Sequence, residues 1–286
     1  MNRHTFIHLL LLILLMSSTT HAFASRIDTI AFRGETSHIL QRVCVYTPDN
    51  YRADGRTYPL VYLLHGIHGN HYSWLRDGNV HYTLDSLIRN EIIQPIVVAM
   101  PYCQRFDTSH VDEPKSLMHC LFHYGSILRG EFEQTFFEID DYVQAHYNVQ
   151  SARTQRAIAG LSCGARQAAK IAKNGTFDIV GLFCPVINLR QRPSDEIVPA
   201  HYWIGVTEGD VFLYKGRRFS LGCERRGIPV TLYQDKGSHN WKAWRRMLNI
   251  FLETYFPAEN TPVNPAETEQ YSLDPNEQLF HIGSEQ

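Results

Sequence analysis

The sequence shows no excess of positive charge. Lysine and arginine total 27 against 29 aspartates and glutamates, which gives a formal net charge of -2 over 286 residues. A protein that binds the phosphate backbone of nucleic acid needs a basic surface, so we expect no nucleic-acid partner. Hydrophobic residues make up 44% and charged residues 20% of the chain, which is the composition of a folded globular protein.

A hydrophobic run long enough to cross a membrane is also lacking. The apolar run at residues 7–16 is half the roughly 20 residues that a spanning helix needs. It follows a basic start, Met-Asn-Arg, and precedes the small residues Ala22 and Ala24, which is the order of a secretory signal. We therefore predict cleavage after Ala24, export to the periplasm or the medium, and no membrane span in the mature chain.

Cysteine is sparse, and its spacing argues against two kinds of site. The chain has 6 cysteines and no Cys-x-x-Cys pair, so it lacks the signature of a zinc ribbon or of a thioredoxin-like redox motif. Six cysteines are also too few for a small disulfide-built scaffold. An exported chain can oxidise its cysteines, and their pairing stays open.

Short apolar runs alternate with helix-like stretches along most of the chain, which predicts βαβ crossovers and a mostly parallel sheet. Residues 27–47 alternate as two extended segments and predict an antiparallel start. The predicted later strands lie at residues 60–64, 95–100, 156–161, 178–183, 202–206 and 229–233, and the predicted helices at 82–90, 131–147, 165–173, 214–226 and 241–255.

Two segments interrupt this alternation. Residues 102–129 lack clear periodicity and predict a long excursion over one end of the sheet. After residue 257 the chain is rich in Pro, Asn, Glu and Gln, with six acidic residues and no Lys or Arg, so we predict a disordered acidic tail at 258–286. We expect a single domain at residues 25–257.

The run at residues 160–164, Gly-Leu-Ser-Cys-Gly, lies between a predicted strand and a predicted helix. In that context Gly-x-Ser-x-Gly forms a nucleophile elbow, in which a sharp strand-to-helix turn exposes the central serine, here Ser162. Glycines flank the turn because neighbouring chains pass close to it. The alternative is a glycine-rich turn whose serine caps the helix.

A serine nucleophile needs a base that a carboxylate orients. Downstream of Ser162 the histidines are His201, which opens a predicted strand, His281 in the acidic tail, and His239 in a loop before the last helix. We predict His239 as the base. Asp210, on the loop after the preceding strand, is the preferred acid, and Glu208 is its rival; the alternative for either is an ordinary loop carboxylate.

Acyl chemistry also needs backbone N–H donors for the developing oxyanion. The residue after the nucleophile, Cys163, supplies one, and the second is expected from Ile67, with His68 next in preference. Histidines 65, 68 and 71 are three residues apart, but the glycines between them disfavour a helix and no carboxylate or cysteine joins them at ligand spacing, so we predict no metal site. We expect Cys163 and Cys184 to be buried, inert thiols.

These motifs together resemble the Putative esterase family of α/β hydrolases, which includes esterase D-like enzymes, feruloyl and acetyl xylan esterases and mycolyltransferases. The resemblance covers roughly residues 42–256 and rests on YLLHGIHGN at 62–70, IVVAMP at 96–101, RAIAGLS at 156–162 and GSHNWKAWR at 237–245. It departs from the family pattern at Cys163 and Ala165, and in an imidazole-rich oxyanion loop.

The resemblance implies the α/β-hydrolase fold, with a mostly parallel central sheet and helices on both faces. It implies a catalytic triad of Ser162, Asp210 and His239, with the amides of Ile67 and Cys163 as the oxyanion hole, and no cofactor. The expected function is an exported serine carboxylester hydrolase that works through an acyl-enzyme.

The expected substrate is a small-molecule or glycan-linked ester, with acetyl or feruloyl esters of carbohydrates as the leading class. We expect His68, Trp74 and Trp241 to contact it, since such side chains stack on sugar or aromatic groups. Two alternatives remain: an acyltransferase of the same fold with a hydroxyl acceptor, and a non-catalytic carbohydrate-binding relative.

Overall fold

The computed structural model describes residues 25–49, 51, 55–103, 131–187 and 201–258. The predicted signal segment, almost all of the predicted excursion at 102–129 and the predicted tail beyond residue 258 lie outside the described residues. No helix within the described ranges has the length and apolar character needed to cross a membrane.

The described residues form strands and helices that alternate as predicted. The strands are β1 (Arg26–Arg33), β2 (Leu40–Thr47), β3 (Leu60–Leu64), β4 (Val97–Pro101), β5 (Arg156–Leu161), β6 (Ile179–Phe183), β7 (His201–Thr207) and β8 (Val230–Asp235). The α-helices are α1 (Ser73–Arg76), α2 (Val80–Arg89), α3 (Glu131–His146), α4 (Cys163–Ile171), α5 (Leu213–Glu224) and α6 (Trp241–Tyr255).

All eight strands form one sheet, in the order β1-β2-β4-β3-β5-β6-β7-β8. β1 pairs with β2 and β2 with β4 antiparallel, whereas every pairing from β4 to β8 is parallel. The mostly parallel sheet with an antiparallel start is therefore confirmed. Parallel strands joined by crossovers end at the same edge of a sheet, so the turns after β3, β5, β6, β7 and β8 meet there.

Helices cover both faces of the sheet, because its central strands are apolar on both sides. Every residue of β3, β4, β5 and β6 is buried. One core includes Phe136 of α3, Ala168 of α4 and Phe219 of α5. The opposite core includes Leu84 of α2 and Phe251 of α6.

The structure departs from the predicted elements in small ways. α4 begins at Cys163, two residues before its predicted start, because the turn out of β5 leads directly into the helix although Gly164 has low helix propensity. The four-residue α1 was not predicted, since so short a helix carries no readable periodicity.

A buried polar network ties α3 to the sheet. The Tyr62 hydroxyl donates to a carboxylate oxygen of Asp140 at 2.8 Å, and the Arg156 guanidinium donates to the same carboxylate oxygen. The Arg156 and Asp140 side chains are each 5% exposed. A buried charge without its partner is strongly destabilising, so α3, β3 and β5 depend on Asp140.

Asp140→Ala should lower the free energy of unfolding by about 3–5 kcal/mol, because it leaves the Arg156 charge buried and unpaired. The neighbouring Asp141 is exposed, and Asp141→Ala should stay within about 0.5 kcal/mol of the parent. Urea unfolding measures both changes. Equal effects of the two substitutions would contradict the role given to the network.

Candidate active site

Ser162 lies at a sharp turn between β5 and α4. Its φ of 55° and ψ of -117° are unusual for a residue other than glycine, and it is only 5% exposed. Its N–H donates to the Phe183 carbonyl at 2.9 Å, and its carbonyl accepts from the Val186 amide at 3.2 Å. Its side chain makes no capping hydrogen bond to α4, so the alternative of a helix-capping serine is not what this turn presents.

Both glycines of the motif are required by close backbone packing. A Cβ on Gly160 would lie 2.6 Å from the Gly164 carbonyl carbon, and one on Gly164 would lie 2.6 Å from the Leu64 carbonyl oxygen. Carbon atoms do not approach this closely without backbone movement. The turn at Ser162 therefore packs directly against the end of β3 and the loop that follows it.

His65 holds that loop in place. Its Nε2 accepts from the Cys103 amide at 3.1 Å, so Nδ1 carries the proton and donates to the Gly66 carbonyl at 2.8 Å. A Cβ on Gly69 would lie 2.6 Å from His65 Nδ1, so the loop folds tightly round the ring. His65 thus joins the loop to the end of β4 through hydrogen bonds.

The two predicted oxyanion residues are neighbours. Half-buried Ile67 packs in one small apolar cluster with Cys163 and Val186, joined by Phe212. Cys163 opens α4, and amides in a first helical turn have no acceptor within the helix. Burial raises the pKa of the Cys163 thiol, although the Ser162 hydroxyl and the Ile67 amide both lower it. His68 is exposed, with a φ of 65°.

His239 and Asp210 form a hydrogen-bonded pair. His239 Nδ1 donates to Asp210 Oδ2 at 2.8 Å, and the Asp210 side chain is 1% exposed. Their loops are tied together, since the Gly209 amide donates to the Gly237 carbonyl at 2.8 Å. The rival acid Glu208 is exposed, and its amide donates instead to the Asp235 carbonyl at 3.0 Å.

The other predicted alternatives for the base lie elsewhere. His201 begins β7, at the opposite edge of the sheet, and its Nε2 is 2.8 Å from Thr231 Oγ1. His281 lies outside the described residues. The cap of α6 is Asn240, whose side chain accepts from the Ala243 amide at 3.1 Å, so capping of this helix does not involve His239.

Asp210 is held in its ionised form. Burial by itself would raise its pKa, but hydrogen bonds from His239, from the Phe212 amide and from the Cys184 thiol outweigh burial and bring the pKa below 3.8. The Phe212 amide donates to Asp210 Oδ1 at 2.7 Å. The carboxylate therefore stays charged at neutral pH and fixes the Nδ1–H tautomer of His239.

Cys184 stands beside this pair, a location that the sequence analysis missed. Its Sγ, a carboxylate oxygen of Asp210 and a ring nitrogen of His239 all lie within 4.8 Å of one another. Ligands of one metal ion lie this close, and here His239 Nδ1 and Asp210 Oδ2 are hydrogen-bonded to each other. The sequence feature that could have indicated this location is that Cys184 directly follows β6, at the sheet edge where the turns meet.

Aromatic rings support His239 from the side of α6. Trp244 meets His239 edge-on at 5.0 Å, Trp241 meets Trp244 at 5.3 Å, and Trp74 meets Trp241 at 5.3 Å between ring centroids. Trp74 is 1% exposed, so it is enclosed by protein and serves the core, whereas Trp241 is half-buried. Of the three predicted substrate contacts, His68 and Trp241 reach the surface.

Comparison with known proteins identifies relatives of this chain. A profile of the family described as Putative esterase matches residues 40–254. An endo-1,4-beta-xylanase/feruloyl esterase of Xylanibacter ruminicola is 25% identical over 244 residues, which are 80% of this chain and 31% of the relative. The chain thus spans about a third of the length of that curated relative.

Solved structures share the fold. A ferulic acid esterase from Anaeromyces mucronatus, solved in complex with ferulic acid, superposes with a TM-score of 0.69 at 20% identity, covering 85% of this chain and 95% of that one. An S-formylglutathione hydrolase from Staphylococcus aureus gives a TM-score of 0.61 at 16% identity, covering 80% and 96%. The predicted α/β-hydrolase fold is confirmed.

Gly164→Ala should lower the free energy of unfolding by about 2–4 kcal/mol, because the added Cβ meets the fixed backbone at Leu64. Gly222 in α5 is the matched control, since a Cβ there meets only Arg226 Nη1 at 3.8 Å. Gly222→Ala should raise stability by about 0.4–1 kcal/mol. Thermal and urea unfolding measure both, and a stable Gly164→Ala variant would contradict the close packing.

Proposed function

The chain belongs to the Putative esterase family, and from that premise we propose that it is an exported serine esterase that removes acyl groups from carbohydrate. The observation that carries the proposal is the His239–Asp210 hydrogen bond of 2.8 Å, at the same sheet edge as the strained turn at Ser162. A neutral imidazole whose Nδ1–H is held by a carboxylate presents Nε2 as a base.

In the proposed reaction Ser162 Oγ attacks the ester carbonyl while His239 Nε2 accepts the hydroxyl proton. The negative charge that develops on the carbonyl oxygen is stabilised by the backbone amides of Ile67 and Cys163. The C–O bond then breaks, the alcohol leaves with the proton from His239, and an acyl-Ser162 ester remains. Water attacks that ester while His239 takes its proton, the bond between the acyl carbon and Ser162 Oγ breaks, and His239 returns the proton to Ser162 Oγ as the acid is released.

An apolar wall beside Ser162 supports an acyl group of hydrophobic character. Ile67, Val186 and Phe212 pack together around Cys163, which follows the nucleophile. The names of the relatives include feruloyl esterase and ferulic acid esterase, and the ring and vinyl carbons of a feruloyl group are apolar. We therefore propose feruloyl esters of plant glycans as substrates, with acetyl esters as the smaller alternative.

Ser162→Ala should reduce hydrolysis of methyl ferulate and aryl acetate by about a millionfold, or to background, because it removes the proposed nucleophile. Asp210→Asn should reduce kcat by about 10⁴-fold, because it allows the wrong imidazole tautomer. Glu208→Gln is the matched control and should keep kcat within about twofold. Release of free acid from purified mature protein is the measurement.

Four results would contradict this proposal. Full activity in Ser162→Ala would show that Ser162 is not the nucleophile. Full activity in Asp210→Asn together with loss of activity in Glu208→Gln would assign Glu208 as the acid. Acyl transfer to added glycerol in place of acid release would assign an acyltransferase. Absence both of turnover and of labelling at Ser162 by a fluorophosphonate would favour a carbohydrate-binding protein.

A further inference from the structure

Taking the proposed function as its basis, we propose that Cys184 is a positioning residue for the reaction. Its thiol donates a third hydrogen bond to the Asp210 carboxylate and so fixes the orientation of that carboxylate towards His239. The sequence analysis expected only a buried, inert thiol at this position.

The backbone places Cys184 between the nucleophile and the acid–base pair. The Phe183 carbonyl before it and the Val186 amide after it bond to the two sides of Ser162, at 2.9 and 3.2 Å. The Cys184 amide donates to the Gly205 carbonyl at 2.7 Å, so this bond to β7 fixes the position of the Cys184 backbone. Its φ of 47° turns the chain sharply away from β6.

The side chain completes the set of donors around Asp210. The Phe212 amide donates to Oδ1 at 2.7 Å and His239 Nδ1 to Oδ2 at 2.8 Å. Cys184 Sγ lies within 4.8 Å of an Asp210 carboxylate oxygen, and the thiol lowers the pKa of Asp210, as those two donors do. His239 lowers that pKa by its charge as well as by its hydrogen bond.

Two further polar groups face the sulfur of Cys184. Trp244 Nε1 and Thr207 Oγ1 are buried and have no hydrogen-bond partner among the described residues. Both side chains lie close enough to Cys184 to lower the pKa of its thiol.

The thiol is protonated, as a donor must be. Burial is the largest cause that raises the pKa of Cys184 to about 12, and its hydrogen bond to the Asp210 carboxylate and the charge of that carboxylate raise it as well. A thiolate beside Asp210 would place two negative charges together in a buried site. At neutral pH Cys184 is thus protonated and able to donate to Asp210.

The test compares Cys184→Ala, which removes the donor, with Cys184→Ser, which keeps an O–H donor in nearly the same place. We expect Cys184→Ala to lower kcat about five- to tenfold, the loss of one hydrogen bond, with KM unchanged. The carboxylate that lost its donor attracts the imidazole proton more strongly, so the acidic midpoint of the kcat/KM profile should rise by about half a pH unit. Cys184→Ser should restore both values.

A second readout does not require turnover. The proton NMR resonance of the His239 Nδ1–H, which points at Asp210, should move downfield in Cys184→Ala and return in Cys184→Ser. Cys223 is the matched control, because it is fully buried in an apolar core on α5. Cys223→Ala should change stability but neither the resonance nor the pH profile.

The two proposals fail in different ways. Absence of ester hydrolysis by the parent protein would contradict the proposed function, whereas the NMR comparison would still decide the role of Cys184. An unchanged resonance and pH profile in Cys184→Ala would overturn the positioning role. So would equal loss in the Ala and Ser variants, since that result would show that only the shape of the side chain matters.

Discussion

The site depends on one close approach between backbones. The turn out of β5 packs so tightly against the end of β3 that no side chain fits at Gly164, where a Cβ would lie 2.6 Å from the Leu64 carbonyl oxygen. This approach sets the distance between Ser162 and the loop of Ile67. It also forces Ser162 into a backbone conformation that an isolated chain would avoid.

The strained backbone of Ser162 is held in place by the neighbouring strand and loop. β6 fixes Ser162 from one side through the Phe183 carbonyl, and His65 fixes the facing loop by bonding the Cys103 amide and the Gly66 carbonyl. His65, whose spacing in the sequence resembles that of a metal ligand, thus has a structural role, because its hydrogen bonds hold the loop in place. Surrounding structure of this kind is what keeps reactive groups at fixed positions.

The sequence predicted the sheet well, because buried parallel strands are short apolar runs that need no knowledge of the fold to be seen. The pairing of His239 with a loop carboxylate followed from chain order and left two candidates, Asp210 and Glu208. Only the hydrogen bond from His239 Nδ1 to Asp210 Oδ2 in the structure shows which carboxylate faces the imidazole. The location of Cys184 beside Asp210 was not predicted, because the hydrophobicity of a sequence segment cannot distinguish a thiol in an apolar core from a thiol beside a charged side chain.

The order of the strands has a consequence for how the protein folds. Residues 67, 162, 184, 210 and 239 are far apart in sequence, and they meet only because β3, β5, β6, β7 and β8 end at one edge of a single sheet. Contacts between such distant segments form slowly, because each closes a long loop. A sheet that lacks any one of these five strands lacks part of the site, so all five must pair before the site is complete.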